Sequence, residues 1–124
     1  MIATIGVSAC LWFGAACYYY KPIPKYDTET KIKQYIETSF KQAGLDGKKA
    51  VKIAYLESGF KVNSKHINST NSIDRGIFQL NNRWHPEVSD ECAYNLQCNV
   101  SEAIRIARDS GWQQWSTNRL VDMN

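Results

Sequence analysis

Two acidic side chains stand out because of where the sequence places them. Glu57 lies at the end of an apolar stretch, just before a Ser58-Gly59 pair that should stop a helix. Burial among apolar neighbours and the negative end of a helix both disfavour a carboxylate, so both should raise the pKa of Glu57. A carboxyl group that keeps its proton near neutral pH can act as a general acid.

A second carboxyl group follows seventeen positions later, in the polar stretch 61–76. This residue, Asp74, should remain ionised there. Two carboxyls in contrasting surroundings suit glycosidic bond cleavage, because one protonates the leaving oxygen while the other stabilises or attacks the positive ring carbon. Trp84 and Trp115 add flat apolar faces that suit sugar rings. Taken singly, each Trp fits an ordinary core residue, and Asp74 could equally pair with Arg75.

The elements that must position these residues are mainly helical. Apolar residues at helical spacing predict a helix from residue 27 or 28 to Gly44. A second helix should begin after Asp46, which can cap it, and end at Ser58-Gly59. Its nearly all-round apolar character predicts a central, buried position.

The second half of the chain predicts a small sheet and a further helix. Stretch 61–76 favours hairpin turns, and GIFQLNNRW at 76–84 favours a short strand or a buried turn. Asn99-Val-Ser-Glu102 is a capping-box pattern, so a helix should begin there and continue to Gly111. The prediction is therefore an α+β domain, mainly helical with a small β-hairpin region, over residues 27–124.

The first twenty residues carry no charged side chain, and twenty residues can just cross a bilayer as a helix. Three tyrosines then lead to Lys21 and Lys25, as at a membrane interface. We predict an apolar helix over 1–20 that serves as a membrane anchor or export segment, followed by a stiff linker over 21–26. A cleaved export signal and a buried core helix are the alternatives.

Composition narrows the choice of partners. The 124 residues suit one domain, and a net charge of +3 fits an acidic polymer but is too small to indicate nucleic acid. With two His and scattered Cys and acids, we predict no metal and no cofactor. A bridge between Cys92 and Cys98 would indicate an oxidising compartment such as a periplasm, whereas two free thiols would fit a cytosolic protein.

Two segments together resemble the active-site segments of the chicken-type lysozymes and of the lysozyme-like lytic transglycosylases. They are Glu57-Ser-Gly-Phe and Asp74-Arg-Gly-Ile-Phe-Gln-Leu-Asn-Asn-Arg-Trp84. The resemblance covers about residues 27–119 and implies a lysozyme-like fold. It also implies that Glu57 is the catalytic acid and Asp74 the second catalytic carboxylate, roles for which lysozyme itself is the reference case.

The resemblance further implies a set of residues that bind substrate or support the second carboxylate. They are Ser58, Asn68, Ser72, Gln79, Asn81, Trp84 and Trp115. By analogy with the family, Asn68 and Ser72 would support Asp74, and the segment Gly111-Trp-Gln-Gln-Trp115 would place its second tryptophan against Glu57.

The sequence departs from the family's pattern in three respects. Arg75 replaces the usual aromatic residue beside the second carboxylate, where a cation would favour the Asp74 anion. His85 stands where the animal enzymes often carry a second tryptophan. Their four-bridge disulfide framework is absent, and only Cys92–Cys98 could remain. With the apolar N-terminus, the chain resembles a bacterial or bacteriophage member.

By this resemblance, the predicted function is that of a peptidoglycan glycosidase that cuts between N-acetylmuramic acid and N-acetylglucosamine. One alternative is a lytic transglycosylase, in which Glu57 also acts as base and 1,6-anhydromuramic acid ends form. Others are a non-catalytic wall-binding virion component and a membrane-acting lysis factor that works through residues 1–20. Expected partners are peptidoglycan strands, a membrane, and a virion or secretion assembly; the expected location is periplasmic or envelope-facing.

Overall fold

The computed structural model describes residues 7–9, 18–20 and 25–123, with side chains from residue 28. The helices of this described part are α1 (Lys25–Gln42), α2 (Gly47–Ser58), α3 (Asp90–Ala93), α4 (Leu96–Ser110) and α5 (Asn118–Val121). The strands are β1 (Val7–Ala9), β2 (Tyr18–Tyr20), β3 (Lys65–Ile67), β4 (Ile73–Arg75) and β5 (Leu80–Asn81). The last three form one antiparallel sheet in the order β3-β4-β5. A small sheet within a mainly helical chain confirms the predicted α+β class.

The N-terminal stretch differs from the prediction where it is described. β1 and β2 pair antiparallel, so these six residues are not helical, and the prediction of one apolar helix over 1–20 is wrong there. Glycines and small polar residues weaken a helix, whereas consecutive tyrosines favour a strand. The remaining residues of the predicted anchor lie outside the described residues. Among the described helices, none combines the length and apolar character needed to cross a membrane.

The first two helices form as predicted, with one difference each. α1 begins at Lys25, inside the predicted linker 21–26. Asp46 caps α2, since its side-chain Oδ1 accepts a hydrogen bond from the Lys49 N–H at 3.0 Å, and Gly59 ends the helix in a left-handed conformation. α2 is only half buried: Ile53 faces the core but Tyr55 is exposed, so its apolar character did not mean burial on all sides.

The core is centred on a buried turn between β4 and β5. Ile77, Phe78 and Leu80 are almost completely buried there, and Phe40 of α1 packs on Phe78 with ring centroids 5.4 Å apart. Gly76 enters the turn at a φ of +74°, and a Cβ atom would collide with the Ala93 carbonyl oxygen. The stretch 76–84 is thus a buried turn followed by a two-residue strand.

α4 begins one turn earlier than the capping-box pattern predicted. Asn95 caps it, accepting a hydrogen bond from the Cys98 N–H at 2.9 Å. Asn99 is instead fully buried inside the helix, where its amide accepts a hydrogen bond from the Phe78 N–H and donates to the Ala93 carbonyl. The capping assignment of Asn99 was therefore wrong, because Asn95 offers the same oxygen first. The predicted Cys92–Cys98 disulfide is confirmed and joins α3 to α4.

Arg75 does not act on Asp74 as expected. Successive side chains of a strand point to opposite faces, so Arg75 leaves β4 on the side away from Asp74. Arg75 is 2 % exposed, and its guanidinium donates to the carbonyls of Leu80 at 3.1 Å and Val88 at 2.9 Å and pairs with Asp90 at 2.9 Å. Arg75 therefore stabilises the loop that carries the residues after β5. Its carboxylate partner is Asp90 and not Asp74, so the alternative in which Asp74 pairs with Arg75 does not hold.

This geometry predicts unequal effects at the two ends of the ion pair, because Arg75 is buried and Asp90 is exposed. Arg75→Leu should lower the free energy of unfolding by about 2–4 kcal/mol, because buried carbonyls of the 80–88 loop lose their donor. Asp90→Asn should lower it by less than about 1 kcal/mol, because that side chain is 80 % exposed. Urea denaturation measures both. Equal losses would show that the ion pair, and not the carbonyl contacts, stabilises the loop.

Candidate active site

A cleft of about 520 Å³ lies between the end of α2, the small sheet and the segment after α4. Eight of the nine residues predicted to act at the site line it. They are Glu57, Asn68, Ser72, Asp74, Gln79, Asn81, Trp84 and Trp115. The fold therefore gathers residues that are far apart in the sequence along one open groove.

Glu57 occupies the penultimate position of α2 and is half-buried at the cleft. Burial raises the pKa of its carboxyl above the ordinary value, a hydrogen bond from Thr117 lowers it in part, and the charge of Asp74 raises it further. The net shift is upward, as the sequence predicted. A carboxyl in these surroundings retains its proton at a higher pH than an exposed glutamate does, which is the property a general acid needs.

Asp74 sits in the middle of β4, directly opposite Asn81 on β5. Asn81 donates from its amide to one carboxylate oxygen at 2.7 Å, and Asn68 donates to the other at 3.0 Å. Both amides also lie within 3.2 Å of the Ser72 hydroxyl. The two amide donors fix the orientation of the Asp74 carboxylate and satisfy one acceptor position on each oxygen.

The two tryptophans play different structural parts. Trp84 is 75 % exposed on the cleft, so its ring offers an open face and does not belong to the core. Trp115 is only 5 % exposed, donates from its indole N–H to the Phe78 carbonyl at 2.9 Å and packs against Phe78 and Trp112. It is a core residue that also forms part of the cleft wall.

Ser58 and Gln79 have backbone partners that the sequence did not reveal. Ser58 does not line the cleft; its hydroxyl lies 2.8 Å from the Ile77 carbonyl oxygen and ties α2 to the buried turn. The prediction that Ser58 contacts substrate therefore finds no support in the geometry. Gln79 does line the cleft, but its amide donates to the Gly76 carbonyl at 2.9 Å and stabilises the turn at a φ of +51°.

Several residues at the site were not predicted. Thr70, Arg83 and Gln114 line the cleft, and Thr117 donates from its hydroxyl to Glu57 Oε1 at 2.7 Å. The only signal for Thr117 was its position two residues after Trp115. Within residues 28–123, no group of three His, Cys, Asp or Glu side chains gathers in a way that could hold a metal ion.

Comparisons with known proteins agree with this geometry. Residues 37–117 match the model of a family described as "Lysozyme like domain". The chain is also 38 % identical over 80 residues to Lysozyme P of Drosophila melanogaster, an alignment that covers 52 % of this chain and 57 % of that protein. The chain therefore spans little more than half the length of this relative. Because the family model matches most of the chain and includes both acidic residues of the cleft, the chain belongs to the lysozyme-like domain family.

Proposed function

We propose that this protein is a peptidoglycan glycosidase that cleaves the β-1,4 bond between N-acetylmuramic acid and N-acetylglucosamine. One observation carries the proposal: a half-buried Glu57 with a raised pKa shares a cleft with an Asp74 held by two amide donors. Two carboxyls with contrasting surroundings are the requirement for glycosidic cleavage by an acid and a nucleophile or stabiliser. Membership of the lysozyme-like domain family supports the same chemistry.

In the first step, protonated Glu57 donates its proton to the glycosidic oxygen as the bond to the sugar ring carbon breaks. The ring carbon becomes electron-poor, and the Asp74 carboxylate stabilises it or bonds to it. The amides of Asn68 and Asn81 keep that carboxylate in place while it interacts with the ring carbon. Trp84 offers the exposed face on which a sugar ring can stack.

In the second step, the Glu57 carboxylate takes a proton from a water molecule, whose oxygen bonds to the ring carbon and releases the sugar. In the alternative, Glu57 takes the proton from the 6-hydroxyl of the same muramic acid residue, and an anhydro ring closes with no water consumed. The second carboxylate Asp74 favours the hydrolytic route, because it can hold or trap the cationic ring until water arrives.

Product mass distinguishes the two routes. Digestion of purified peptidoglycan should release muropeptides with free reducing ends, because the proposed second step adds water. Mass spectrometry would detect the mass of this added water directly. Products lighter by one water, with 1,6-anhydromuramic acid ends, would establish transglycosylation instead. Asp74→Asn serves as the matched variant and should reduce hydrolysis strongly, because its amide carries no negative charge and can accept from only one of the two asparagine donors.

Glu57→Gln should lower activity strongly and increase stability at neutral pH. Loss of the acid should reduce wall clearing by about 10²–10⁴-fold. The folded pKa of Glu57 lies above its ordinary value of 4.5, so folding becomes less favourable as pH rises through the interval between the two. Glutamine cannot ionise, yet it keeps an acceptor oxygen for Thr117. The gain in unfolding free energy over wild type should therefore be larger at pH 7 than at pH 4.

Denaturation at both pH values tests the second half of this prediction. A Glu57→Gln variant that still clears a peptidoglycan suspension would remove Glu57 from the mechanism. Conversely, a wild-type protein that binds peptidoglycan without clearing it would indicate a non-catalytic wall-binding component.

We also propose that the protein acts outside the cytoplasm, in the periplasm or facing the cell envelope. The Cys92–Cys98 disulfide supports this location, because such bonds persist in oxidising compartments. Residues 1–20 would then serve as an export segment or tether. Fractionation of producing cells should recover the disulfide-bonded protein in the envelope or periplasm. Recovery of the active protein in the cytosol with both thiols reduced would contradict the proposal.

A further inference from the structure

We infer that Thr117 is a positioning residue for Glu57: its hydroxyl holds Oε1 and so leaves Oε2 to carry the proton that is donated. This inference rests on the proposed function. The Thr117 hydroxyl lies 2.7 Å from Glu57 Oε1, a short hydrogen bond between residues sixty positions apart in the chain. Within residues 28–123 the Glu57 carboxylate has no other side-chain hydrogen bond.

Thr117 occupies a position where its side chain would usually serve a helix. It immediately precedes α5, and threonine at such a position commonly accepts a hydrogen bond from an N–H of the first turn. Here the backbone is helical, with φ −64° and ψ −18°, and the side chain makes no capping hydrogen bond. The hydroxyl therefore donates its hydrogen bond to Glu57 and does not cap α5.

Thr117 contacts Glu57 from outside the cleft. Its neighbours Trp115 and Ser116 line the cleft, but Thr117 does not. Trp115, two residues away, is anchored by its packing and by its hydrogen bond to the Phe78 carbonyl. The Thr117 hydroxyl thus reaches Glu57 Oε1 from a segment that Trp115 anchors to the core.

The hydrogen bond has a definite consequence for the proton. The carbonyl oxygen of a carboxylic acid accepts a hydrogen bond better than its hydroxyl oxygen does, so the hydrogen bond from Thr117 to Oε1 favours the acidic proton of Glu57 on Oε2. When Glu57 releases this proton, the hydrogen bond from Thr117 becomes charge-assisted and stronger. The interaction therefore stabilises the carboxylate as it forms in the transition state more than it stabilises the acid beforehand. In the second step Oε2 is again the free oxygen, ready to take a proton.

Two substitutions separate this role from a structural one. Thr117→Val removes the hydroxyl with little change in shape, whereas Thr117→Ser retains it. Carboxyl ¹³C NMR should show Glu57 titrating at higher pH in Thr117→Val than in wild type, because the lost hydrogen bond lowers the pKa of Glu57. Thr117→Ser should titrate as wild type does. If the valine variant does not fold, Thr117→Ala removes the same hydroxyl without the branched bulk.

Activity on purified peptidoglycan gives the second measurement. Thr117→Val should lower kcat about tenfold, as loss of one hydrogen bond to a charged group predicts, with KM unchanged. The alkaline limb of its pH profile should move to higher pH, and Thr117→Ser should restore both properties.

Glu57 titration that is the same in Thr117→Val and wild type would overturn the inference, as would a serine variant that behaves like valine. The NMR measurement requires no catalysis. A wild-type protein that leaves peptidoglycan intact would therefore refute the proposed function separately.

Discussion

The site depends on one constraint, which is that the main chain of the buried turn at 76–80 must find hydrogen-bond partners away from water. Unpaired backbone groups in a core cost about 1–3 kcal/mol each. Side chains from separate parts of the chain meet this need. Ser58 of α2 and Trp115 donate to successive carbonyls of the turn, Asn99 of α4 accepts from the Phe78 N–H, and Arg75 donates to the Leu80 carbonyl.

These hydrogen bonds also determine where the cleft residues lie. Ser58 follows Glu57 in the chain, and Arg75 follows Asp74. Each catalytic candidate is thus adjacent to a residue that is hydrogen-bonded to the same buried turn. The positions of the two carboxyls therefore depend on the core. These sequence neighbours do no chemistry, yet they anchor the backbone that carries each carboxyl, because covalent adjacency transmits their anchoring to the site.

Features determined by local pattern could be predicted from the sequence, and features determined by long-range hydrogen bonds could not. The Asp46 cap and the Gly59 stop follow from neighbours a few residues away. The apolar helix before Glu57 predicted the direction of its pKa shift, although burial in the folded chain and the charge of Asp74 are what raise that pKa. Long-range hydrogen bonds determine the surroundings of Asn99, Arg75 and Thr117. For Asn99, nothing in the local sequence distinguishes a buried amide from a helix cap. The predicted N-terminal helix is wrong at residues 7–9 and 18–20 for a different reason, since lack of charge indicates burial without specifying the backbone conformation.

The exposure of Trp84 has a thermodynamic consequence for the unbound protein. Its ring remains exposed to water on the cleft wall, although an indole is among the largest apolar surfaces that a protein can withdraw from water. A flat ligand face that covers the ring would release that water, with the negative heat-capacity change that accompanies apolar burial. Part of the free energy that favours complex formation is therefore already present in the free protein, because water surrounds the apolar Trp84 ring until a ligand covers it.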